Sequence, residues 1–372
     1  MMAQRLPASL TPLEVVRAAL LGRLEPVMPI ELALTDALGC IAAEMPPLKA
    51  VPPRDTAATD GWALCARDLV GASSYSPVPL PIAPVWVEAG ETIPEACDCV
   101  IDADLVDQTG PMLQALAEAI PGQGVRRIGG DIAAGSSVIA AGQRVRPLDL
   151  LIARAAGLQR LSVRRPHLSV LNIPAGTGDA ATAQLIVEWA RAAGADVVCS
   201  EAAGRDAGSI AKALDVSSCD LLVTIGGSGV GRTDAAIAAL AARGEVAVHG
   251  LALQPGRTSA VGSIEKIPVI ALSGAGDHAL AAWWTLALPA LDRLSGRQPR
   301  ETIKLPLQRK IASSVGIAEI ALLAKNDGAW MPLAVGDLSL EIIARSDAWL
   351  MIPGGSEGHA AGTLVDAYML RN

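Results

Sequence analysis

A glycine-rich segment directly after an apolar run has the residue types of an anion-binding loop. The run LLVTI, residues 221–225, is followed by GGSGVGRTD, residues 226–234. Glycine lets successive backbone N–H groups converge on a phosphate, and hydroxyls add further donors. A ligand-free turn is the alternative, but four glycines and a serine within six residues exceed what a turn requires. The candidate ligand-binding residues are Gly226, Gly227, Ser228, Gly229, Gly231 and Thr233, and Asp234 is a candidate for holding a metal ion or a ligand hydroxyl.

Two further glycine turns carry polar side chains. LSGAGD, residues 272–277, contains Ser273 and Gly274, and QPGR, residues 254–257, ends in Arg257. Each turn taken alone is more often structural than functional. Neither these turns nor the first loop has the spacing of a P-loop or of a dinucleotide-binding fingerprint.

Acidic residues occupy two turns in an earlier part of the chain. Asp60 lies in TDGWAL and Asp131 in GGDIAAG. Either residue can simply form a turn, because aspartate bonds readily to nearby backbone N–H groups. Beside an anion-binding loop, the same carboxylates are suited to hold a divalent cation. Composition leaves both interpretations open.

Strands alternating with helices must position the first loop. Continuous apolar strands separated by helices predict a parallel sheet covered on both faces, with ligands at the carboxyl ends of the strands. The predicted strands are 168–173, 195–202, 220–227 and 268–274, and the helices between them are 181–195, 210–216 and 233–244. The sequence therefore predicts a three-layer α/β domain around the loop.

The remaining segments predict a multidomain α/β and β protein. A helical linker domain is expected over residues 1–45 plus 143–165, including helices at 30–44 and 148–158. Segments punctuated by Pro and Gly predict a β-rich insertion domain over 46–142. The α/β domain follows over 166–300, and alternating segments predict a small, all-β, barrel-like domain over 301–372.

Composition excludes several classes of protein. Hydrophobic residues make up 51% of the 372 residues, the formal net charge is −8, and Phe is absent. An acidic chain with few aromatic residues argues against nucleic-acid binding. The N-terminus lacks the apolar run of a signal peptide, and no stretch is long enough to span a membrane. Scattered cysteines predict reduced thiols, and hence a cytoplasmic protein.

Taken in order, these segments resemble the molybdopterin molybdenumtransferase family along almost the whole chain. The order of the matching segments is more specific than any one of them. They are PIELALTDALGCIAAEM (29–45), VPPRDTAATDGWAL (51–64), IPEACDCVI (93–101), RRIGGDIAAGSSVIAAGQRV (126–145), AAGLQRLSVRRPHLSVL (155–171), GGSGVGRTD (226–234), LALQPGRT (251–258) and AWLMIPGGSEGHAAGTLVDAYML (348–370).

The resemblance implies an activity and a set of site residues. The family inserts molybdenum from molybdate into adenylylated molybdopterin with release of AMP, in a step that requires a divalent metal such as Mg²⁺. It implies catalytic roles for Asp60, Asp131 and Asp234, and metal binding by Asp60, Asp131 and Asp179. By the same resemblance the loop amides, with Arg257, Ser273 and Gly274, bind the substrate. A homodimer is implied, as are contacts with other cofactor-biosynthesis proteins or a molybdoenzyme.

Several motifs depart from the family pattern, which leaves two hypotheses. NIPAGTGD, residues 172–179, replaces a Thr-Gly-Asp-Glu motif, SGAG replaces Pro-Gly-Asn-Pro, and Gln254 replaces a lysine. Retention of Asp60, Asp131 and Asp234 favours an enzyme. The lost acids and lysine favour a non-catalytic paralogue that binds or carries molybdopterin or the finished cofactor. The enzyme is the preferred prediction.

Overall fold

The chain divides into two compact units. The computed structural model describes residues 4–175 and 180–370, so the predicted metal ligand Asp179 lies outside the described residues. The α/β unit comprises residues 1–43, 141–145 and 162–372, and the insertion unit comprises 44–140 and 146–161. The finer four-domain layout stays a prediction.

The secondary structure consists of short strands and mostly short helices. The helices are α1 (Leu13–Leu21), α2 (Pro147–Ala155), α3 (Ala181–Ala192), α4 (Ala207–Ala213), α5 (Ala236–Arg243), α6 (Gly276–Ala282), α7 (Leu288–Ser295) and α8 (Leu340–Arg345). The strands are β1 (Thr11–Pro12), β2 (Ile30–Ala33), β3 (Ile41–Ala42), β4 (Thr56–Ala57), β5 (Gly61–Leu64), β6 (Val78–Pro79), β7 (Val85–Val87), β8 (Cys99–Ile101), β9 (Val106–Asp107), β10 (Gln114–Ala115), β11 (Val125–Arg126), β12 (Arg160–Arg164), β13 (His167–Asn172), β14 (Asp196–Glu201), β15 (Leu221–Ile225), β16 (Glu245–His249), β17 (Leu251–Gln254), β18 (Ala260–Ile264), β19 (Ile267–Leu272), β20 (Thr302–Pro306), β21 (Ile311–Ala312), β22 (Ala318–Asn326), β23 (Ala329–Val335), β24 (Ala348–Ile352), β25 (Gly358–His359) and β26 (Leu364–Met369). Trp283–Ala287 forms a π-helical turn between α6 and α7.

A six-stranded sheet in the order β14-β13-β15-β19-β18-β16 carries the glycine loop. The first four strands pair in parallel, which confirms the predicted parallel sheet. The central strand β15 is buried at all five positions, as expected for a continuous apolar strand covered on both faces. β18 and β16 complete the sheet in antiparallel pairing, which the sequence did not predict.

The C-terminal segment contributes to a second sheet of the α/β unit. Its order is β1-β17-β22-β24-β26-β20, with β23 paired to β22. The prediction of an all-β segment after residue 301 was wrong in one respect, because α8 lies within it. Ser339 begins this helix by accepting a hydrogen bond from the Ile342 N–H through its hydroxyl, a frequent helix N-cap.

The predicted helix over residues 30–44 is absent, and this part of the linker prediction was wrong. The structure has β2 and β3 there, joined by a turn in which Gly39 has a φ of 81°. β3 pairs antiparallel with β12, so its backbone groups bond to a strand distant in sequence. Apolar residues at helical spacing were thus overridden by tertiary pairing. The predicted helix at 148–158 is confirmed as α2.

The insertion unit is β-rich, as predicted. Its sheets have the orders β7-β5-β8, β6-β10-β9 and β11-β4. Two small aliphatic clusters fill it, one around Leu64, Leu69 and Ile101, the other around Val87 and Val100. These short strands end in the turns that carry Asp60 and Asp131.

The core of the α/β unit is mainly aliphatic and contains one row of aromatic rings. Trp284 stacks on Trp349 with ring centroids 5.3 Å apart, and Trp349 stacks on Tyr368 at 4.8 Å. The helix α5, which follows the glycine loop, buries Ala236, Ala239 and Leu240. Its start is therefore fixed against the sheet. Among the described residues, no helix is long and apolar enough to cross a membrane.

Candidate functional site: a glycine loop and two acidic turns

The glycine loop begins where β15 ends at the carboxyl edge of the parallel sheet. The Gly226 N–H donates to the Leu272 carbonyl at 3.0 Å, so the loop starts beside the end of β19. A Cβ atom on Gly226 would lie 2.5 Å from the Ile173 carbonyl oxygen, and φ of this residue is 92°. A side chain is excluded on both grounds. Glycine therefore lets the loop turn against the ends of its two neighbouring strands.

Asp234 closes the loop by bonding within it. One carboxylate oxygen accepts from the Gly231 N–H at 2.9 Å, and the other from Arg205 Nη2 at 2.9 Å. Arg205 also donates through Nη1 to the Pro174 carbonyl at 2.7 Å. The Asp234 side chain is only 17% exposed. Both oxygens of Asp234 thus have protein partners, and its predicted role in catalysis stays a prediction.

Gln4, far away in sequence, bonds to the other side of the loop. Its Nε2 donates to the carbonyls of Gly227 at 3.0 Å and Gly229 at 2.8 Å. Its Oε1 accepts from the N–H groups of Ile237 at 2.8 Å and Ala238 at 3.3 Å. One side chain therefore joins the loop to the first turn of α5. Nothing local in the sequence indicated this contact.

His249 holds a third carbonyl of the loop. Its Nε2 lies 3.0 Å from the Ser228 carbonyl oxygen. Because a carbonyl can only accept, Nε2 carries the proton in this contact. The Ser228 hydroxyl is fully buried and has no hydrogen-bond partner within residues 4–175 and 180–370. Sequence reasoning missed His249, Arg205 and Gln4, because their contacts with the loop cross long stretches of chain.

The structure brings the predicted turn after β19 next to the loop. A Cβ atom on Gly274 would lie 3.5 Å from the Gly226 Cα. The Thr182 hydroxyl donates to the Gly274 carbonyl at 2.9 Å, and the Ser273 hydroxyl accepts from the Ala275 N–H at 3.2 Å. Arg257 and Thr233 are exposed. These residues belong to the same unit as the loop, and their role in substrate binding stays a prediction.

The acidic residues of the insertion unit lie in exposed turns. One Asp60 oxygen accepts from the Ala89 N–H at 2.7 Å. Asp131 forms an ion pair with Arg126 at 3.2 Å, and its side chain is 51% exposed. Asp60 therefore anchors the turn formed by residues 88–91.

Asp55 is a further bonded carboxylate of the insertion unit, and the sequence did not indicate it. It accepts from the Ile128 N–H and from Arg127 Nη1, both at 2.8 Å. The backbone hydrogen bond from Ile128, followed by the one from Arg127, holds the pKa of Asp55 below its ordinary value. The ionised Asp55 side chain thus holds Arg127 and Ile128, which precede Asp131, in place.

The described residues contain no group of three or more His, Cys, Asp or Glu side chains that could hold a metal ion. The predicted set of Asp60, Asp131 and Asp179 includes a residue outside the described ranges, so a divalent-metal site at these positions stays a prediction. The two described members of that set, Asp60 and Asp131, belong to no such group of three.

Two of the thiols, those of Cys99 and Cys219, are unsuited to nucleophilic chemistry at neutral pH. All six cysteines are free. Burial raises the pKa of Cys99 to about 12 and that of Cys219 to about 11. Because the thiolate is the reactive form, these side chains stay protonated and inert.

Comparison with known proteins bears on both units. A family model described as "MoeA N-terminal region (domain I and II)" matches residues 11–157. A second one, "Probable molybdopterin binding domain", matches residues 160–293 and so includes the glycine loop. Two solved structures of the molybdopterin biosynthesis moeA protein from Pyrococcus horikoshii have TM-scores of 0.77 and 0.72 at 24% and 23% identity. The matches cover 98% and 97% of this chain and 100% of each of the two solved chains. The overall fold is therefore that of the moeA proteins.

Curated relatives add sequence evidence. Molybdopterin molybdenumtransferase 2 of Mycobacterium tuberculosis is 30% identical over 310 residues, which is 72% of this chain and 76% of the relative. The molybdopterin molybdenumtransferase of Synechococcus elongatus is 26% identical over 86% of this chain and 89% of its own length. Together with the two matched family models, these relatives identify the chain as a member of the MoeA family of molybdenum-cofactor biosynthesis proteins.

Proposed function

We propose that this protein is a molybdopterin molybdenumtransferase, which uses adenylylated molybdopterin and molybdate and releases AMP. The observation that carries the proposal is the glycine loop after β15, whose N–H groups lie at the carboxyl edge of a parallel sheet. Ligands bind at this edge in open α/β sheets, and converging loop amides suit a phosphate. Membership of the MoeA family supports the pterin phosphate as the anion of this loop.

In this proposal the chain's residues have distinct tasks. The N–H groups of the glycine loop bind the phosphate end of the pterin, and the turn at Ser273 and Gly274 lies beside them. Arg205 keeps Asp234 inside the loop, so that the backbone is ordered before the ligand arrives. Asp60 and Asp131 act near molybdate and the diphosphate, where their exposed oxygens can exchange water for a ligand. Hydrolysis of the diphosphate by a water molecule breaks its P–O–P bond, which releases AMP and leaves the other phosphate on the pterin.

A second function, pterin binding without turnover, is favoured by one observation. Both oxygens of Asp234 bond to Gly231 and Arg205, so the acid that ends the loop is engaged in structure. Under this alternative the protein carries molybdopterin or the finished cofactor and inserts no molybdenum.

Reconstitution with purified protein separates the two functions. Adenylylated molybdopterin and molybdate are added with and without Mg²⁺, and AMP release is followed by chromatography. AMP release that depends on molybdate supports the enzyme. Pterin binding without AMP release leaves the carrier function, and failure to bind any pterin excludes both. The comparison with and without Mg²⁺ tests the divalent metal that the family resemblance predicts.

The assembly and location of the protein are part of the same proposal. A homodimer is expected from the family resemblance, and light scattering of the purified protein tests it. The six free cysteines are compatible with a reducing compartment, in line with the expected cytoplasmic location. Other cofactor-biosynthesis proteins or a molybdoenzyme are the expected protein partners.

A further inference from the structure

The hydrogen bonds of Gln4 determine in which direction the N–H groups of the loop point. Its Nε2 bonds the carbonyl oxygens of both Gly227 and Gly229. The peptide units that contain these carbonyls continue to Ser228 and Val230, and both are trans. In a trans peptide unit the C=O and the following N–H point in opposite directions. The N–H groups of Ser228 and Val230 therefore point away from Gln4.

Neither of these two N–H groups donates to a protein acceptor in the part of the chain that the structure describes. Gly227 O is also held by the Ala236 N–H at 3.0 Å, so the first of the two peptide units is bonded from both α5 and Gln4. On one face of the loop, Gln4 donates to two carbonyls. On the opposite face, two N–H groups have no acceptor among the described residues. Val230 is half-exposed whereas Ser228 is fully buried, so an anion on that opposite face would accept from the Val230 N–H.

The path of the N-terminal segment fixes the position of Gln4. β1 pairs in parallel with β17 through Thr11 and Leu251, and the Thr11 N–H donates to the Gly250 carbonyl at 3.1 Å. A Cβ atom on Gly250 would meet Pro7 at 2.9 Å and Leu6 at 3.2 Å, so the segment packs closely on this glycine. The packing of this segment therefore places Gln4 beside the loop.

We infer that Gln4 is a positioning residue of the ligand loop: by holding the carbonyls of Gly227 and Gly229, it fixes the loop so that the N–H group of Val230 faces the phosphate end of the pterin. This inference rests on the proposed function, since it takes the pterin phosphate as the anion. Gln4 is assigned no contact with the ligand. Its effect is on how strongly the protein prefers a phosphorylated pterin to the same pterin without phosphate.

The test measures that preference with two probes, oxidised molybdopterin and its dephosphorylated form, each titrated against the full-length protein by pterin fluorescence. In Gln4→Ala the ratio of the two affinities is expected to fall about tenfold, as for the loss of one or two well-aligned hydrogen bonds. The affinity for the dephosphorylated pterin stays within about twofold. A general loosening of the fold would weaken both probes equally, which would overturn the inference.

The Gln4→Glu variant separates the donor from the acceptor of the Gln4 amide, and Arg5→Ala is its control. Gln4→Glu keeps an acceptor for the α5 amides but loses the Nε2 donor, so it is expected to lose the phosphate preference as Gln4→Ala does. Arg5→Ala changes an exposed neighbour and is expected to leave the ratio unchanged. An unchanged ratio in Gln4→Glu, or tighter phosphate binding in Gln4→Ala, overturns the inference, the second result identifying Gln4 as a competitor of the ligand. If the wild-type protein binds neither pterin, the proposed function fails instead.

Discussion

The glycine loop of the α/β unit and the acidic turns of the insertion unit carry the predicted site residues in two different settings. The loop is bonded by Gln4, His249 and Arg205, and its acid, Asp234, is largely buried. Asp60 and Asp131 lie in exposed turns, with one bonded backbone N–H and one ion pair respectively. Both settings contain aspartates, but of Asp60, Asp131 and Asp234 only Asp234 has both oxygens taken by protein donors within the described residues.

This difference separates residues that shape a site from residues that act in it. A carboxylate that accepts two charged or backbone donors is costly to displace, because each such bond contributes about 1.5–3 kcal/mol when charged. An exposed carboxylate can exchange water for a ligand at little cost. We therefore expect substitutions in the acidic turns to change turnover, and substitutions in the loop to change pterin affinity.

Removal of the Asp60 carboxylate is expected to have the largest effect. Asp60→Ala should lower molybdate-dependent AMP release on the order of 100-fold, as when a preorganised charged group is lost from a transition state, with pterin affinity nearly intact. Asp60→Asn is the matched control, because its side-chain oxygen can still accept from the Ala89 N–H. Both substitutions should reduce AMP release alike. If Asp60→Asn retains activity, or if pterin binding is lost together with turnover, Asp60 only forms the turn.

A methyl group added to the loop should instead weaken pterin binding. In Gly229→Ala the new Cβ would lie 2.5 Å from Asp234 Oδ2, so the carboxylate must move away from Gly231 or Arg205. Loss of one such charged hydrogen bond is expected to weaken pterin binding by about 10- to 100-fold. Gly355→Ala, at a glycine with nothing within 4 Å of the added Cβ, is the control. Unchanged pterin affinity in Gly229→Ala would show that the loop does not bind the ligand.

Removal of the Arg205 guanidinium tests the loop by removing the cation that pairs with Asp234. Arg205→Ala leaves Asp234 without its cationic partner and should lower stability by about 1–3 kcal/mol. Pterin affinity should fall with it, since Asp234 no longer orders the loop. Calorimetry and pterin titration measure the two effects. Arg243→Ala, which removes a single bond to the Ala211 carbonyl, is the control and should change neither. Full affinity in Arg205→Ala would contradict an ordering role for this residue.

The strand and loop that carry the site could be predicted because the signals are local. The apolar run ending at Ile225 can only be a strand buried on both faces, and the glycines follow it directly. The contacts of Gln4 with Gly227 and Gly229 span more than 220 residues, and Arg205 reaches Asp234 across 29. Neither glutamine nor arginine has a local pattern that predicts such a partner, so these residues emerged only from the structure.

The wrong helix over residues 30–44 has a related cause. Leu34 and Ala37 are buried, at the spacing expected for one face of a helix. The backbone nevertheless bonds elsewhere: the Gly39 N–H donates to the Val145 carbonyl and the Ala42 N–H to the Gln143 carbonyl. These acceptors belong to a segment that returns about 100 residues later in the chain, after the insertion. Side-chain periodicity predicted which residues are buried, whereas long-range pairing decided the backbone.

The smallest expected effect concerns Asp55, which combines features of both settings because it lies in the insertion unit and yet accepts two hydrogen bonds. Its folded pKa is lowered, first by the Ile128 N–H and then by Arg127, so the carboxylate stabilises the fold above its unfolded pKa near 3.9. That contribution is lost as the pH falls through the lower folded pKa. Asp55→Asn should therefore cost up to about 1 kcal/mol at pH 7, because the pair is partly exposed.

Calorimetry at pH 7, 5 and 3 measures this difference between Asp55→Asn and the wild-type protein. The two melting temperatures should differ at pH 7 and 5 and converge as the pH falls toward and below 3. The exposed Asp104 provides the control, because Asp104→Asn should leave the pH dependence unchanged. A difference that persists undiminished at the lowest pH would show that Asp55 contributes through its shape and not its charge. Unlike Asp234, which is paired with a cation, Asp55 would then stabilise the fold without its negative charge.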